Sequence, residues 1–237
     1  FRGYRHMEGV IEGPIGLELL EGLRAHGLVG LSFTYSGGAS GIATTSREIR
    51  GPEDLQGLRV GVYGDAVNEA WLGGLGATPV AIEHRLNSIL SLTQKGSLDS
   101  VVITWRNLER EGLNRAFKYV NLMNSAYLVS VTYINEKFFE SLPEVYRTLL
   151  KEASHEAGRF ERASTIELNE RSKRAMLAKG VRPIYLTEQS KTKLLEALRP
   201  AYARSIEGLL GKDLLERIKN TPDGSAHPSI PRHFASQ

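Results

Sequence analysis

Ile49-Arg50-Gly51-Pro52-Glu53-Asp54-Leu55-Gln56-Gly57-Leu58-Arg59-Val60-Gly61-Val62 is the stretch whose reading decides the fold. Pro52 to Leu55 reads as a first helical turn, and Gly57 ends it. Leu58 to Val62 is short, apolar and branched, the pattern of a strand buried on both faces in a parallel sheet. Gly64-Asp65 then makes the turn into a helix through Trp71 and Leu75. Val80 to Ile82 is a second short strand, Leu86 to Lys95 a helix stopped by Gly96, and Val101 to Ile103 a third buried strand before a helix from Trp105 to Leu113. Strands alternating with helices predict an α/β lobe with a mainly parallel sheet.

Upstream, Gly13-Pro14-Ile15-Gly16 opens an amphipathic helix carrying Leu17, Leu19, Leu20 and Leu23, and Gly27 closes it. Val29, Leu31 and Phe33 alternate as a half-buried strand ending near Tyr35, and Ser36 to Gly41 reads as a flexible loop before an extended Ile42 to Thr45. Downstream, Tyr127 to Tyr133 alternates as a strand long enough to cross between lobes. From Pro143 to Lys179 only Gly158 interrupts a helical pattern. At 1.5 Å per residue that is roughly 55 Å of helix, longer than one small lobe needs, so it is expected to brace two. A break at Gly158 is the alternative. Val181 to Tyr185 is a short strand. Thr187 caps a helix reaching about Leu210, Lys212 to Lys219 is a last helix, and the chain from Pro222 reads as an irregular tail.

The 237 residues carry a net charge of +3 with basic and acidic side chains interspersed, and no aromatic-interleaved basic stripe, which argues against nucleic acid. No run approaches a membrane span, and Phe1-Arg2-Gly3-Tyr4-Arg5-His6 is too polar for a signal peptide. Zero cysteines exclude disulfides and thiolate chemistry. His6, His26, His84, His155, His227 and His233 show no metal-ligand spacing. Gly38-Ala39-Ser40-Gly41 departs from the Gly-x-Ser-x-Gly of hydrolases, and the segment after it is extended, not helical as a phosphate loop requires. No Gly-x-Gly-x-x-Gly lies between a strand and a helix. The carboxylate pairs Glu18-Glu21 and Glu152-Glu156 sit on helix faces, where they are solvated. No cofactor, metal or catalytic set is expected.

Asp54-Leu55-Gln56-Gly57-Leu58-Arg59-Val60 resembles the stretch Asp-Leu-Lys-Gly-Leu-Lys-Ile-Arg-Val-Pro of TRAP-transporter solute-binding proteins. Leu75-Gly76-Ala77-Thr78-Pro79 is similar to their Leu-Gly-Ala-Asn-Pro, Gln94-Lys95-Gly96-Ser97-Leu98-Asp99 to Gln-Thr-Gly-Val-Val-Asp, and Lys137-Phe138-Phe139-Glu140-Ser141-Leu142-Pro143-Glu144 to the Phe-x-x-Leu-Pro-Glu that opens a long helix. Arg47-Glu48-Ile49 resembles Arg-Pro-Ile, and Gly13 to Gly16 followed by Leu28 to Tyr35 falls in family order. The resemblance spans most of residues 1 to 219. It implies a periplasmic, exported protein that captures a small organic, carboxylate-containing solute between two lobes and delivers it to a membrane permease by hinge closure. It implies a two-lobed α/β fold with crossing strands, residues 1–39 and 127–168 forming one lobe and 40–126 with 169–237 the other. Family members begin with a further segment that supplies the first strands of the first lobe, and the chain starts after it. A sheet face left open in this way could pair with a second copy. A two-lobed sensor uncoupled from transport, or an enzyme with an unrecognised site, are the alternatives.

The family's carboxylate-gripping arginine falls on Gly61, and a second arginine is missing around Ser40-Gly41. A buried carboxylate needs a compensating cation, and a bidentate arginine serves best. Arg59 shares Gly61's strand face but lies farther from the carboxyl end, where clefts form. Arg106, in Thr104-Trp105-Arg106 at the end of Val101 to Ile103, is the better replacement, with Trp105 to wall the ligand and Tyr63 and Asn68 to donate hydrogen bonds. Ser40 and Asn124, at the ends of the second lobe's first segment, complete the candidate ligand set. Gly61 itself makes room for a bulkier ligand. The plainer alternative has Trp105 in the core and Arg106 solvated on a helix.

Overall fold

In a strand covered on both faces, successive side chains enter two different cores. Strand β2 (Arg59–Val62) does this: Val60 and Val62 are fully buried on one side, and Gly61 faces the other. The computed structural model describes residues 1–64, 66–83, 86–205 and 210–224; of 86, 87, 123–125, 199 and 201–205 the backbone alone is described. Asp65, His84 and the tail from residue 225, all read above, lie outside the described residues.

β2 runs parallel to β3 (Thr78–Ala81) on one side and to β4 (Ser100–Thr104) on the other. β1 (Leu28–Thr44) joins β4 antiparallel, with Ser40 opposite Thr104 and Thr44 opposite Ser100. β5 (Tyr119–Asn135) follows β1, and β6 (Arg182–Ile184) lies parallel to β5. The strand order is β3-β2-β4-β1-β5-β6, a mixed sheet. Lys118 N donates to Thr44 O at 2.8 Å and Glu136 N to Gly27 O at 2.9 Å, so β1 and β5 form an antiparallel ribbon seventeen residues long in each strand. The glycine-rich Ser36 to Gly41, expected to loop, is therefore strand: β5 supplies the ladder, and Gly37 and Gly38 hold positive φ of 111° and 80° within it.

Among the described residues the α-helices are α1 (Tyr4–Ile11), α2 (Pro14–Gly22), α3 (Ala66–Gly74), α4 (Leu86–Gln94), α5 (Trp105–Arg110), α6 (Glu136–Ser141), α7 (Glu144–Ala178), α8 (Glu188–Ser205) and α9 (Lys212–Asn220). α7 passes Gly158 unbroken. A Cβ there would stand 2.8 Å from Phe33 O, so the glycine lets the helix approach the strand backbone rather than ending it.

The chain divides into two compact units. Unit 1 comprises Phe1–Gly38, Tyr127–Leu168 and Asp213–Gln237, and unit 2 comprises Ala39–Ala126 and Asn169–Lys212. β1, β5 and α7 contribute residues to both. The C-terminal segment from Asp213, expected with the second lobe, groups with unit 1. Gly224 N donates to Arg5 O at 2.8 Å, His6 Nε2 bonds Ile218 O at 2.8 Å, and Arg2 donates to Lys219 O at 2.8 Å, tying α9 and its sequel to α1.

Unit 2 has one core on each sheet face. Ile42, Val60, Val62 and Val102 meet Trp71 and Leu72 of α3 and Leu194 of α8 on the first. Ala43, Val101 and Ile103 meet Ile89 of α4, Trp105 and Leu108 of α5, and Met176 of α7 on the second. Each fully buried aliphatic side chain contributes roughly 1.5–3 kcal/mol. Unit 1 gathers Met7, Ile11, Phe33 and Tyr35, with Tyr127, Val129, Val131 and Ile166 against them.

A polar network sits in that unit 1 core. Arg162 of α7 is 1% exposed; its Nε donates to Glu8 at 3.0 Å, Nη1 to Phe33 O at 2.7 Å, and Nη2 to Glu12. The Tyr35 hydroxyl donates to Glu8, and Tyr35 N donates to Glu161 at 2.6 Å. Burial first, then the Glu8 carboxylate, push the Tyr35 phenol far above its ordinary pKa, so it remains a donor at any physiological pH.

Candidate functional site

Parallel strands present their carboxyl ends at one edge of the sheet, where α/β proteins place ligands. In unit 2 those ends are Val62-Tyr63-Gly64 after β2 and Thr104-Trp105-Arg106 after β4. Thr104 is 1% exposed and accepts Asn107 N at 3.2 Å through Oγ1, capping α5. Arg106 N donates to Asn169 Oδ1 of α7 at 3.2 Å. Two first-turn amides of α5 are therefore occupied, which leaves anion binding here to the Arg106 side chain rather than to bare N–H groups. Arg106 is exposed, and no carboxylate among the described residues pairs with it. Arg110, one turn on, pairs instead with Glu111 at 3.1 Å.

The other candidates divide. Ser40, buried, lies opposite Thr104 and donates to Ala126 O at 3.2 Å. Tyr63 is half-buried against the second core; burial, then the nearby Glu111 carboxylate, push its phenol up to about 12, so it is a neutral donor. Asn68 is turned the other way: its Oδ1 accepts Trp71 Nε1 at 2.7 Å beside the first core. Trp105 is 5% exposed among Ile89, Leu108 and Met176, so its ring is occupied by the core and offers no open wall. Asn124 lies on β5, and its side chain is outside the described residues.

Gly61 offers no extra ligand space. A Cβ there would stand 3.1 Å from Ile82 Cδ1 and 3.2 Å from Leu98 Cδ1, inside the second core. At Gly41 a Cβ would fall on Asn121 O, where β5 runs alongside, so that position admits no longer side chain either.

Arg59 is committed elsewhere. Its Nε and Nη2 grip Asp99 Oδ2 and Oδ1 at 2.8 and 2.7 Å, Nη1 donates to Gly96 O, and its own N–H donates to Asp99 Oδ2 at 3.0 Å. This pair ties the amino end of β2 to the turn before β4, and it removes Arg59 as a ligand anchor. The Arg59 guanidinium holds the Asp99 carboxyl below the usual carboxylate range. A depressed folded pKa contributes stability that is present above the unfolded value of about 4 and is lost as pH falls through the folded value. In urea unfolding from pH 7 to pH 2.5, Asp99→Asn is expected to show a shallower acid loss than the unsubstituted chain; parallel curves would mean that the pair adds nothing to folding.

Asn169 is the residue that the sequence reading passed over. Thr165, Asn169 and Ser172 recur at helical spacing on α7 and are 2%, 6% and 4% exposed, a buried polar stripe that could have flagged it. Among the described residues no cluster of three His, Asp or Glu side chains is placed to hold a metal ion, and no helix is long and apolar enough to cross a membrane.

Comparison with known proteins places this architecture. The chain belongs to the bacterial extracellular solute-binding protein family 7, DctP, whose sequence profile matches residues 1–208. It is 26% identical over 220 residues to the C4-dicarboxylate-binding periplasmic protein DctP of Rhodobacter capsulatus, covering 92% of this chain and 65% of that protein. A TRAP periplasmic solute-binding protein from Xanthobacter autotrophicus Py2 with bound β-D-galacturonate superposes with a TM-score of 0.81 at 25% identity, over 94% of this chain and 72% of that one. One from Shewanella oneidensis with bound succinate shares the fold with a TM-score of 0.80 at 22% identity, over 92% and 70%. The chain spans less than two thirds of the length of the Rhodobacter protein.

Proposed function

We infer that the protein of this chain is the solute-capturing component of a TRAP-type transporter, acting in the periplasm and handing a small carboxylate-containing solute to membrane permease subunits. The observation that carries this reading is Arg106: an exposed arginine at the carboxyl end of β4, with no carboxylate partner among the described residues, in a chain of this family. Its guanidinium presents a planar fork that matches a carboxylate. Tyr63, at the end of β2, is the polar side chain that would orient the rest of the solute, while the buried Thr104 and Ser40 act behind it, as the α5 cap and as a donor to Ala126 O. Trp105 and Asn68 act behind the site, as core and as holder of Trp71. The protein binds and releases its solute without transforming it. The relatives named above carry a C4-dicarboxylate or a uronate, and those two classes are the first to test. No observation here favours a homodimer.

A thermal-shift screen against C4-dicarboxylates, uronates and their uncharged analogues tests the reading. A ligand at a hundred times its dissociation constant stabilises by about 2.7 kcal/mol, a rise in melting temperature of several degrees. Acids are expected to raise the melting point and uncharged analogues are not. A shift only with uncharged solutes, or with none, contradicts it.

A further inference from the structure

We propose that Asn169 is a positioning residue for Arg106, and that its lack of charge is what keeps the site able to accept an anion; this rests on the acid-binding reading above. α5 has six residues, too few to hold its own shape in water. Three things fix it: the Thr104 cap, the burial of Trp105 and Leu108, and the bond from Arg106 N to Asn169 Oδ1. A backbone N–H only donates, so the amide oxygen of Asn169 must face it. The Arg106 side chain has no ion pair of its own among the described residues, so what the fold fixes is the backbone from which it projects, and Asn169 holds that backbone from a second element.

The residue type is informative. An aspartate at position 169 would be the stronger acceptor at a helix N-terminus, charge-assisted and favoured by the helix dipole. Against that gain stands the cost of burying the charge at a site 6% exposed, so the two acceptors are closer in stability than in their effect on an anion. Asparagine makes the same bond without placing a negative charge beside the arginine that is to grip a carboxylate. A carboxylate there would pair with the Arg106 guanidinium and repel an incoming anion, the two ways of losing an acid ligand without losing the fold.

Calorimetric titration with succinate and with D-galacturonate, alongside melting points without ligand, separates the possibilities in Asn169→Asp, Asn169→Ala and the unsubstituted chain. Asn169→Asp is expected to keep a cooperative melting transition yet to bind the better probe about tenfold more weakly or worse. Asn169→Ala is expected to lose several-fold in affinity, with faster hydrogen exchange at the Arg106 amide. A merely structural role predicts that Asn169→Asp binds as tightly as the unsubstituted chain, and that result overturns the proposal. If the unsubstituted chain binds and both variants match it, this inference fails alone. If the unsubstituted chain binds neither acid, the acid-site reading fails and takes this inference with it.

Discussion

Arg162→Ala is expected to destabilise unit 1 by about 3–5 kcal/mol, the range for removing one partner of a buried ion pair. The guanidinium bonds Glu8 from α1, Phe33 O from β1 and Glu12, and it is 1% exposed. Truncation strands the Glu8 carboxylate, 5% exposed, with the Tyr35 hydroxyl as its remaining partner in this network. A stranded buried carboxylate either takes up a proton or bears its full desolvation cost. Arg162→Lys should recover little, because one ammonium cannot reach three acceptors in the directions of a planar fork. The double variant Glu8→Gln with Arg162→Met should be milder than Arg162→Ala, since it removes the charge together with its partner. Urea unfolding reads all three. A loss below about 1 kcal/mol for Arg162→Ala would show that solvent compensates Glu8, contrary to the packing described.

Arg106→Ala has the largest expected effect on binding: about a hundredfold weaker affinity for an acid ligand, toward the lower end of the range for truncating one side of a buried hydrogen-bonded charge pair because the arginine is exposed before the ligand binds. Without ligand the melting point should hold, because the side chain is exposed and its loss opens no cavity. Arg106→Lys should fall between, keeping the charge and losing the bidentate geometry. Arg110→Ala is the control on the same helix. Its guanidinium already pairs with Glu111, so its removal should change acid affinity only slightly. Equal losses at both positions would point to a diffuse positive potential in place of a specific grip.

How much of this was legible in the sequence follows from how local each signal is. β2, β3 and β4 and their helices were readable because apolar strands and glycine stops are local patterns. The mixed sheet was not, since the antiparallel entry of β1 depends on a ribbon with β5 that begins more than seventy residues later. The same partner converts Ser36 to Gly41 from an apparent loop into strand. α1 escaped notice because His6 and Glu8 make it look polar, yet both are buried by partners remote in sequence: Ile218 for the histidine, Arg162 and Tyr35 for the glutamate. Sequence pattern offered Arg59 and Arg106 as rival anchors. Only the structure separates them, through the Asp99 bond that occupies one and leaves the other without an acidic partner among the described residues. Gly61 illustrates the opposite limit: an absent side chain read as ligand space proves to be room taken by Ile82 and Leu98.

The most direct measurement of the central claim is the Nε–Hε resonance of each arginine during titration with succinate or a uronate. A guanidinium that closes on a carboxylate shifts its Nε–Hε signal as the charge-assisted bond forms. The account predicts a saturable shift at Arg106, with Arg59 and Arg162 unmoved because their partners are already in place. A saturable shift at any other arginine with Arg106 unchanged, or no shift at any arginine under conditions where the acid binds, would contradict it.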